Sequence, residues 1–288
     1  MTTLVQAWTQ AREKLKAAKV DSPVIDARLL LEAAADASRT DIVTDPYREV
    51  PPEALALLES YVERRSRREP VSRILGRKGF WKIMLQVTPD VLSPRPDTET
   101  VVQEALRRFD EHRRFDVLDL GVGSGAILLA ILAERPLARG LGTDVSPEAL
   151  AVARDNAAHL GLAGRMALMH GDWTEGMGDA SFDLVVSNPP YIREAKIADL
   201  DPEVRDHDPH LALSGGEDGL EHYRRLAPEV MRVLRPGGGF LLEVGHDQSA
   251  EVETLMRDAG AQDVTTIKDL SLKDRVVAGS RKALETGA

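Results

Sequence analysis

From Phe115 onward the chain alternates short apolar runs with amphipathic stretches, and this constrains its fold more than any other feature. The runs are FDVLDL (115–120), GLGTDV (140–145), MALMH (166–170), FDLVVS (182–187) and FLLEVG (240–245). Between them lie AILLAILAE, SPEALAVARDNAAHLG and LEHYRRLAPEVMRVL, each at helical spacing. Strands joined through helices cannot pair as hairpins; they lie parallel, with helices on both faces. One more helix (SAEVETLMRDAG) and two short strands, DVTTI and RVVAG, complete the pattern. RPGGG before the fifth run reads as a turn. The expectation is an α/β fold built on a parallel sheet.

Residues 1–75 read differently. Leu4, Ala7, Trp8, Ala11 and Leu15 recur at helical spacing. Ser22-Pro23 looks like an N-cap and N1 pair opening a second helix, and Pro51-Pro52-Glu53 opens a third, with Leu55, Leu58 and Val62 on one face. This predicts a small all-helical domain with no chemistry of its own. Its RRSRR cluster (Arg64 to Arg68) reads as a solvated helix face. Residues 76–98 are strand-like around a Pro-Asp turn at 89–90 and predict a hairpin linker. A helix follows from about Asp97, the α/β domain occupies 99–288, and the tail after Arg281 is expected to fray.

The chain has no cysteine, which excludes disulfides, zinc–thiolate sites and thiol nucleophiles. No apolar run approaches the roughly 18 residues that span a bilayer, and the N-terminus is amphipathic rather than a signal peptide. A cytoplasmic protein is expected. Net charge is −10, with 14 basic against 12 acidic residues in 1–80 and 23 against 35 in 81–288. Such a chain is a poor generic partner for nucleic acid, which rewards basic surfaces. HDPH (His207 to His210) has few other ligand types near it in sequence, and no metal is expected.

At the first strand-to-helix junction Asp119, Gly121, Gly123 and Gly125 form D-x-G-x-G-x-G. Glycines permit a tight turn and leave amides open to a ligand. The spacing is not the G-x-G-x-x-G of dinucleotide sites, and a P-loop lysine is absent. Asp144 stands at the end of the second strand, 19 residues beyond Gly125. A carboxylate there can accept from both hydroxyls of a ribose. The third strand ends in Gly171-Asp172-Trp173, where Asp172 can accept from an adenine amino group and Trp173 can pack on the ring. All three strand ends fall on one edge of the sheet, where such folds bind ligands.

This combination resembles the S-adenosylmethionine-dependent methyltransferases of the Rossmann-like, seven-stranded class. The resemblance implies S-adenosyl-L-methionine as cofactor and S-adenosyl-L-homocysteine as product. It also implies a cofactor site of Asp119, Gly121, Val122, Gly123, Ser124, Gly125, Asp144, Asp172, Trp173 and Asn188. SNPPYI (187–192) then closes the fourth strand on the same edge. A planar amide or aromatic amine is a poor nucleophile, and two acceptors can fix its N–H groups and aim its lone pair. The Asn188 side-chain oxygen is one and the Pro189 carbonyl the other, with the prolines stiffening the backbone and Tyr191 stacking on the planar group. Catalytic roles therefore fall to Asn188, Pro189 and Tyr191, and substrate binding to these with Pro190 and Arg95. Asn-Pro-Pro-Tyr is shared by families that methylate adenine, cytosine, guanine and glutamine nitrogens.

SPRPDTE (93–99), DLGVGSGAI, GDW, SNPPYI and GLEHYRRLAPEVMRVLRPGGGFLLEVG together resemble the release-factor glutamine methyltransferase family (the PrmC/HemK type), over essentially the whole chain. The resemblance implies N5-methylation of the glutamine in the Gly-Gly-Gln tripeptide of bacterial peptide chain release factors, and so a role in translation termination. It makes residues 1–75 a docking surface for the release factor, with no DNA or membrane partner and no required oligomer. Phe80 and Trp81 either pack near the acceptor pocket or form a hydrophobic hinge. The alternatives are a glutamine methyltransferase of a large-subunit ribosomal protein, whose relatives usually carry a Pro-Arg-Ser-Pro segment where this chain has Pro94-Arg95-Pro96-Asp97, and a nucleic-acid amino-methyltransferase. A non-catalytic cofactor-binding module would not need Asn188.

Overall fold

The computed structural model describes residues 1–284 as two compact units. One holds residues 1–77 together with 201–207, and the other holds 78–200 and the described residues from 208 on. The end of the tail expected to fray, 285–288, lies outside the described residues.

The first unit contains α1 (Leu4–Ala17), α2 (Pro23–Ala34), α3 (Arg39–Thr44), α4 (Pro52–Ser66) and α5 (Val71–Leu75). Leu4, Ala7, Ala11 and Leu15 of α1 pack with Ala27, Leu30 and Leu31 of α2 and Ala54, Leu58 and Val62 of α4. Gln6 Oε1 accepts from Thr3 N at 3.0 Å across the first turn of α1. Pro23 sits at the start of α2 as expected, but the Ser22 side chain makes no capping hydrogen bond.

The RRSRR cluster departs from the expected solvated face. Arg65 is only 6% exposed, because it continues the inward stripe Ala54, Leu58, Val62 one turn further. Its Nε donates to Asp26 at 2.7 Å and its Nη1 to Glu203 at 2.9 Å. Arg68 Nη2 donates to the other oxygen of Glu203 at 2.8 Å. Burial raises the Glu203 pKa, but the hydrogen bonds from Arg68 and Arg65 outweigh it and hold the carboxyl below its ordinary value.

The second unit begins with the two-stranded sheet of β1 (Arg77–Phe80) and β2 (Ile83–Gln86). A single 3-10 turn over Pro96–Thr98 leads into α6 (Glu99–Arg108). Then follow β3 (Asp116–Leu120), α7 (Ala126–Glu134), β4 (Arg139–Asp144), α8 (Pro147–His159), β5 (Met166–His170) and β6 (Phe182–Ser187). One-turn helices at Glu194–Ile197 and, in the segment 201–207 that belongs to the first unit, at Pro202–Arg205 precede α9 (Glu221–Val233), β7 (Leu234–Glu243), α10 (Ser249–Asp258), β8 (Ala261–Lys268) and β9 (Asp274–Arg281).

Seven strands form one sheet in the order β5-β4-β3-β6-β7-β9-β8. Strands β3 to β7 pair in parallel, and β9 enters antiparallel between β7 and β8. This is the α/β architecture expected from the alternation, in the seven-stranded Rossmann-like form that the resemblance implied. β3 is central: the chain steps outward through β4 and β5, then crosses to β6 and β7. That reversal opens a crevice above the carboxyl ends of β3 and β6. RPGGG is not the turn expected; it lies within β7. Gly237, at φ +78, and a register shift opposite Phe182 to Leu184 let the strand bend there without reversing.

Phe80 is buried in the core beside Leu85 and Val101, while Trp81 donates Nε1 to Glu134 at 3.0 Å. Neither lines the crevice. The hairpin turns them toward α6 and α7 instead. Among the described residues no helix is long and apolar enough to cross a membrane.

Candidate active site

A cavity of about 400 Å³ opens over the carboxyl ends of β3, β4, β5 and β6. At β3 the chain turns through Gly121 and Val122, whose amides donate to Thr143 O at 2.9 and 2.8 Å. Gly123 takes φ +51, and space is open where its Cβ would stand, so the backbone there is accessible to a ligand. Gly125, at φ +83, meets Leu129 where a side chain would begin, which explains a glycine at the entry to α7. Asp144 ends β4 and accepts from Gly123 N at 2.9 Å and from Ser146 N at 3.0 Å. Ser146 in turn caps α8 by accepting from Ala149 N at 3.0 Å. The expected ribose-holding acid is thus also the brace of the glycine turn.

Asp119 is 1% exposed, and its Oδ1 has no partner among the described residues. Burial pushes its pKa up to about 8; the Leu128 amide opposes this, and the charge of Asp144 adds to it. An acid buried in this way at a cavity wall has an unmet demand for a positive or donating group.

At the β5 end, Trp173 has a left-handed backbone (φ +54) that lays its ring against Gly121 and edge-on to His222, with centroids 5.4 Å apart. The Asp172 carboxylate is paired with Arg225 of α9, so one of its oxygens is already engaged. At the β6 end, Ser187 Oγ donates to Leu120 O at 2.7 Å and ties the two central strands together. Asn188 Nδ2 donates to Thr98 Oγ1 at 3.3 Å. Tyr191 is held twice, its hydroxyl donating to Glu243 at 3.4 Å and its carbonyl accepting from Gln248 at 3.0 Å.

Arg95, Asp119, Gly121, Val122, Gly123, Ser124, Asp144, Asp172, Trp173, Asn188 and Pro190 all line this one cavity. Gly125, Pro189 and Tyr191 do not. Pro189 is buried, and the Tyr191 ring packs on the cluster of Tyr223 and Leu242. Arg95, expected to meet substrate, gives its guanidinium to Asp208 at 2.6 Å, and the buried Asp208 also accepts from Ser93 N at 3.3 Å. Sequence reasoning assigned no role to Glu243 or Arg225.

Residues 6–76 match the family model of the PrmC N-terminal domain, and residues 97–203 match that of the methyltransferase small domain. A release factor glutamine methyltransferase of Caulobacter vibrioides is 64% identical over 286 residues, 99% of each chain. The chain belongs to the release factor glutamine methyltransferase family. A family member from Rhodospirillum rubrum is 46% identical over 270 residues, 94% of this chain and 82% of its own. Among solved structures, a methyltransferase from Pyrococcus furiosus shares the fold, with a TM-score of 0.52 at 19% identity over 69% of this chain and 88% of its own.

Proposed function

We infer that this chain transfers a methyl group from S-adenosylmethionine to the side-chain amide N5 of the glutamine in the Gly-Gly-Gln tripeptide of peptide chain release factors. The observation that carries this reading is Asn188. It closes β6 at the cavity with its amino end turned inward to Thr98, which leaves Oδ1 to accept from a substrate N–H.

The residues present fit the cofactor. Asp119 offers a buried oxygen without a partner to a cationic group, the turn at Gly123 is open to a ligand, and Trp173 offers a flat face beside Gly121. Asp119, Gly121, Val122, Gly123, Ser124, Asp144, Asp172 and Trp173 would hold it, with Asn188 at the wall nearest the acceptor and Gly125 supporting the turn from behind. S-adenosylmethionine, when bound, supplies a methyl group on a sulfonium and leaves as S-adenosylhomocysteine.

The chain's own residues prepare the acceptor. Asn188 Oδ1 and the Pro189 carbonyl accept the two N–H groups of the glutamine amide and fix its plane. Positioning of this kind supplies much of an enzyme's acceleration. The same two oxygens stabilise positive charge as it grows on nitrogen, and the proton then leaves to water. Tyr191 and Pro190 stiffen this wall, and Arg95 with Asp208 frames its far side. Residues 1–75 serve as the release-factor dock, with the exposed Val43 and Tyr47 offering apolar contact. The reaction belongs in the cytoplasm and needs neither DNA nor an oligomer.

The test mixes the purified chain and labelled S-adenosylmethionine with a release factor, its Gly-Gly-Ala variant, ribosomal proteins and DNA. Label in the intact factor alone is expected. Label in a ribosomal protein or in DNA would overturn the substrate. Asn188→Ala should lower turnover roughly 10²-fold while leaving cofactor affinity nearly intact; equal loss of both would show that the residue is misplaced.

A further inference from the structure

We propose that Arg225 holds the Asp172 carboxylate in the orientation that reads the adenine amino group, which makes Arg225 a positioning residue for the base specificity of the cofactor site. The proposal rests on the cofactor reading above and not on the identity of the methyl acceptor.

The sheet order places the base. Strands β5, β4, β3 and β6 stand side by side, and their carboxyl ends border one cavity. The acceptor wall at Asn188 closes β6, and the ribose-holding Asp144 ends β4. The methyl group must reach the Asn188 wall, so the base, one glycosidic bond from the ribose, extends the other way, to the end of β5. There Gly171 is tied to β4, its amide donating to the Asp144 carbonyl at 3.1 Å. Asp172 and Trp173 follow, and both line the cavity.

The Asp172 side chain is half-exposed and stands just beyond the end of its strand. A free carboxylate there would turn toward solvent and spend its acceptors on water. Arg225 prevents this, with Nη2 donating to Oδ2. Oδ1 has no side-chain or backbone partner among the described residues and is left for a ligand. Arg225 itself lines the cavity and stands on a firm base, because Tyr223, Leu226 and Ala227 of α9 are buried. His222, three positions earlier, shares its face of the helix. The His222 ring meets Trp173 edge-on, and its Nε2 donates to the Ser214 carbonyl at 3.1 Å. One face of α9 thus steadies both Asp172 and Trp173.

Adenine carries an amino group where hypoxanthine and guanine carry a carbonyl oxygen. An ionised carboxylate only accepts. Oδ1 therefore attracts the amino group and repels the carbonyl. The guanidinium also offsets the charge of the acid, so the site offers a neutral base one directed acceptor rather than a free anion.

The experiment measures, by calorimetry on the full chain, the affinity for S-adenosylhomocysteine and for S-inosylhomocysteine, in which oxygen replaces the amino group. The wild type is expected to prefer the adenosine ligand about tenfold or more. Arg225→Ala should weaken S-adenosylhomocysteine about fivefold, the scale of one half-exposed ion pair, and leave the inosine ligand unmoved. Arg225→Lys should restore part of the preference, because an ammonium lacks the fixed fork of a guanidinium. His222→Ala should weaken both ligands alike. With a release factor as acceptor, Arg225→Ala should raise KM for S-adenosylmethionine and leave kcat in place. Equal weakening of both ligands in Arg225→Ala, or no change in either, would overturn the positioning role, and so would a wild type without preference. Calorimetry needs no acceptor, so a wrong methyl acceptor shows separately, as label in another substrate. A wild type that fails to bind S-adenosylhomocysteine sinks the role together with the cofactor reading.

Discussion

Asp26 and Glu203 of the helical unit and Asp119 and Glu243 of the catalytic unit are carboxylates withdrawn from solvent that are treated in opposite ways. In the helical unit Asp26 and Glu203 meet Arg65 and Arg68 in direct ion pairs. In the catalytic unit Asp119 and Glu243 are buried more deeply and have no ion pair among the described residues. A buried acid met by a fixed arginine is a completed contact. One buried without a partner remains available to a ligand.

The two arrangements respond to pH with opposite sign. The Glu203 pKa is depressed, so its contribution to stability is present above the ordinary carboxylate range and is lost as pH falls through the lowered value. Asp119 and Glu243 are raised to about 8 and about 7, so the folded state holds protons that the unfolded state has released. Their effect is a stability that declines as pH rises from the carboxylate range to about 8, and is level above it.

The largest expected effect is in the helical unit. Arg65→Ala leaves Asp26 and half of Glu203 without their partner and should cost about 3–5 kcal/mol in urea unfolding. A cost below about 1 kcal/mol would mean that the acids are not held as described. Next comes Asp119→Asn. It should weaken S-adenosylmethionine binding roughly 10- to 100-fold in calorimetry, the scale of a lost charged hydrogen bond, and yet raise the melting temperature of the ligand-free protein at alkaline pH. In the wild type, cofactor affinity should fall as pH drops below about 8, because a cation favours the ionised acid. An affinity independent of pH would erase the contrast between the two units. The smallest effect is Glu203→Gln, at about 1 kcal/mol near neutral pH and shrinking as pH falls through the lowered Glu203 value, since Arg65 keeps Asp26.

What could be read from the sequence was whatever lies close together along it. D-x-G-x-G-x-G, Asp144 and Asn188 each sit at the end of a run whose period identifies a strand, and the sheet order then brings them to one edge. The partners that tune the site come from distant segments. Nothing local in PRPDTE tells Thr98 to meet Asn188, and nothing in HDPH tells Asp208 to take Arg95. The Arg65 pairing was within reach, because the spacing Leu58, Val62, Arg65 already puts that arginine on the apolar stripe. Charge density in RRSRR masked it. RPGGG misled for a different reason: three glycines permit a turn but also permit a bent strand, and the pairing with β6 decides which forms.

Residues 201–207 belong to the helical unit although they lie in the sequence between two parts of the catalytic one. The two units are therefore interleaved along the gene rather than strung in series. A fragment starting at Lys78 would keep every strand of the seven-stranded sheet and yet strand Glu203 away from Arg65 and Arg68. Recombination between relatives that joins one helical domain to another's catalytic domain at the linker brings in a foreign 201–207 as well. Such chimaeras survive only where the acid and its arginines have been inherited as a matched set.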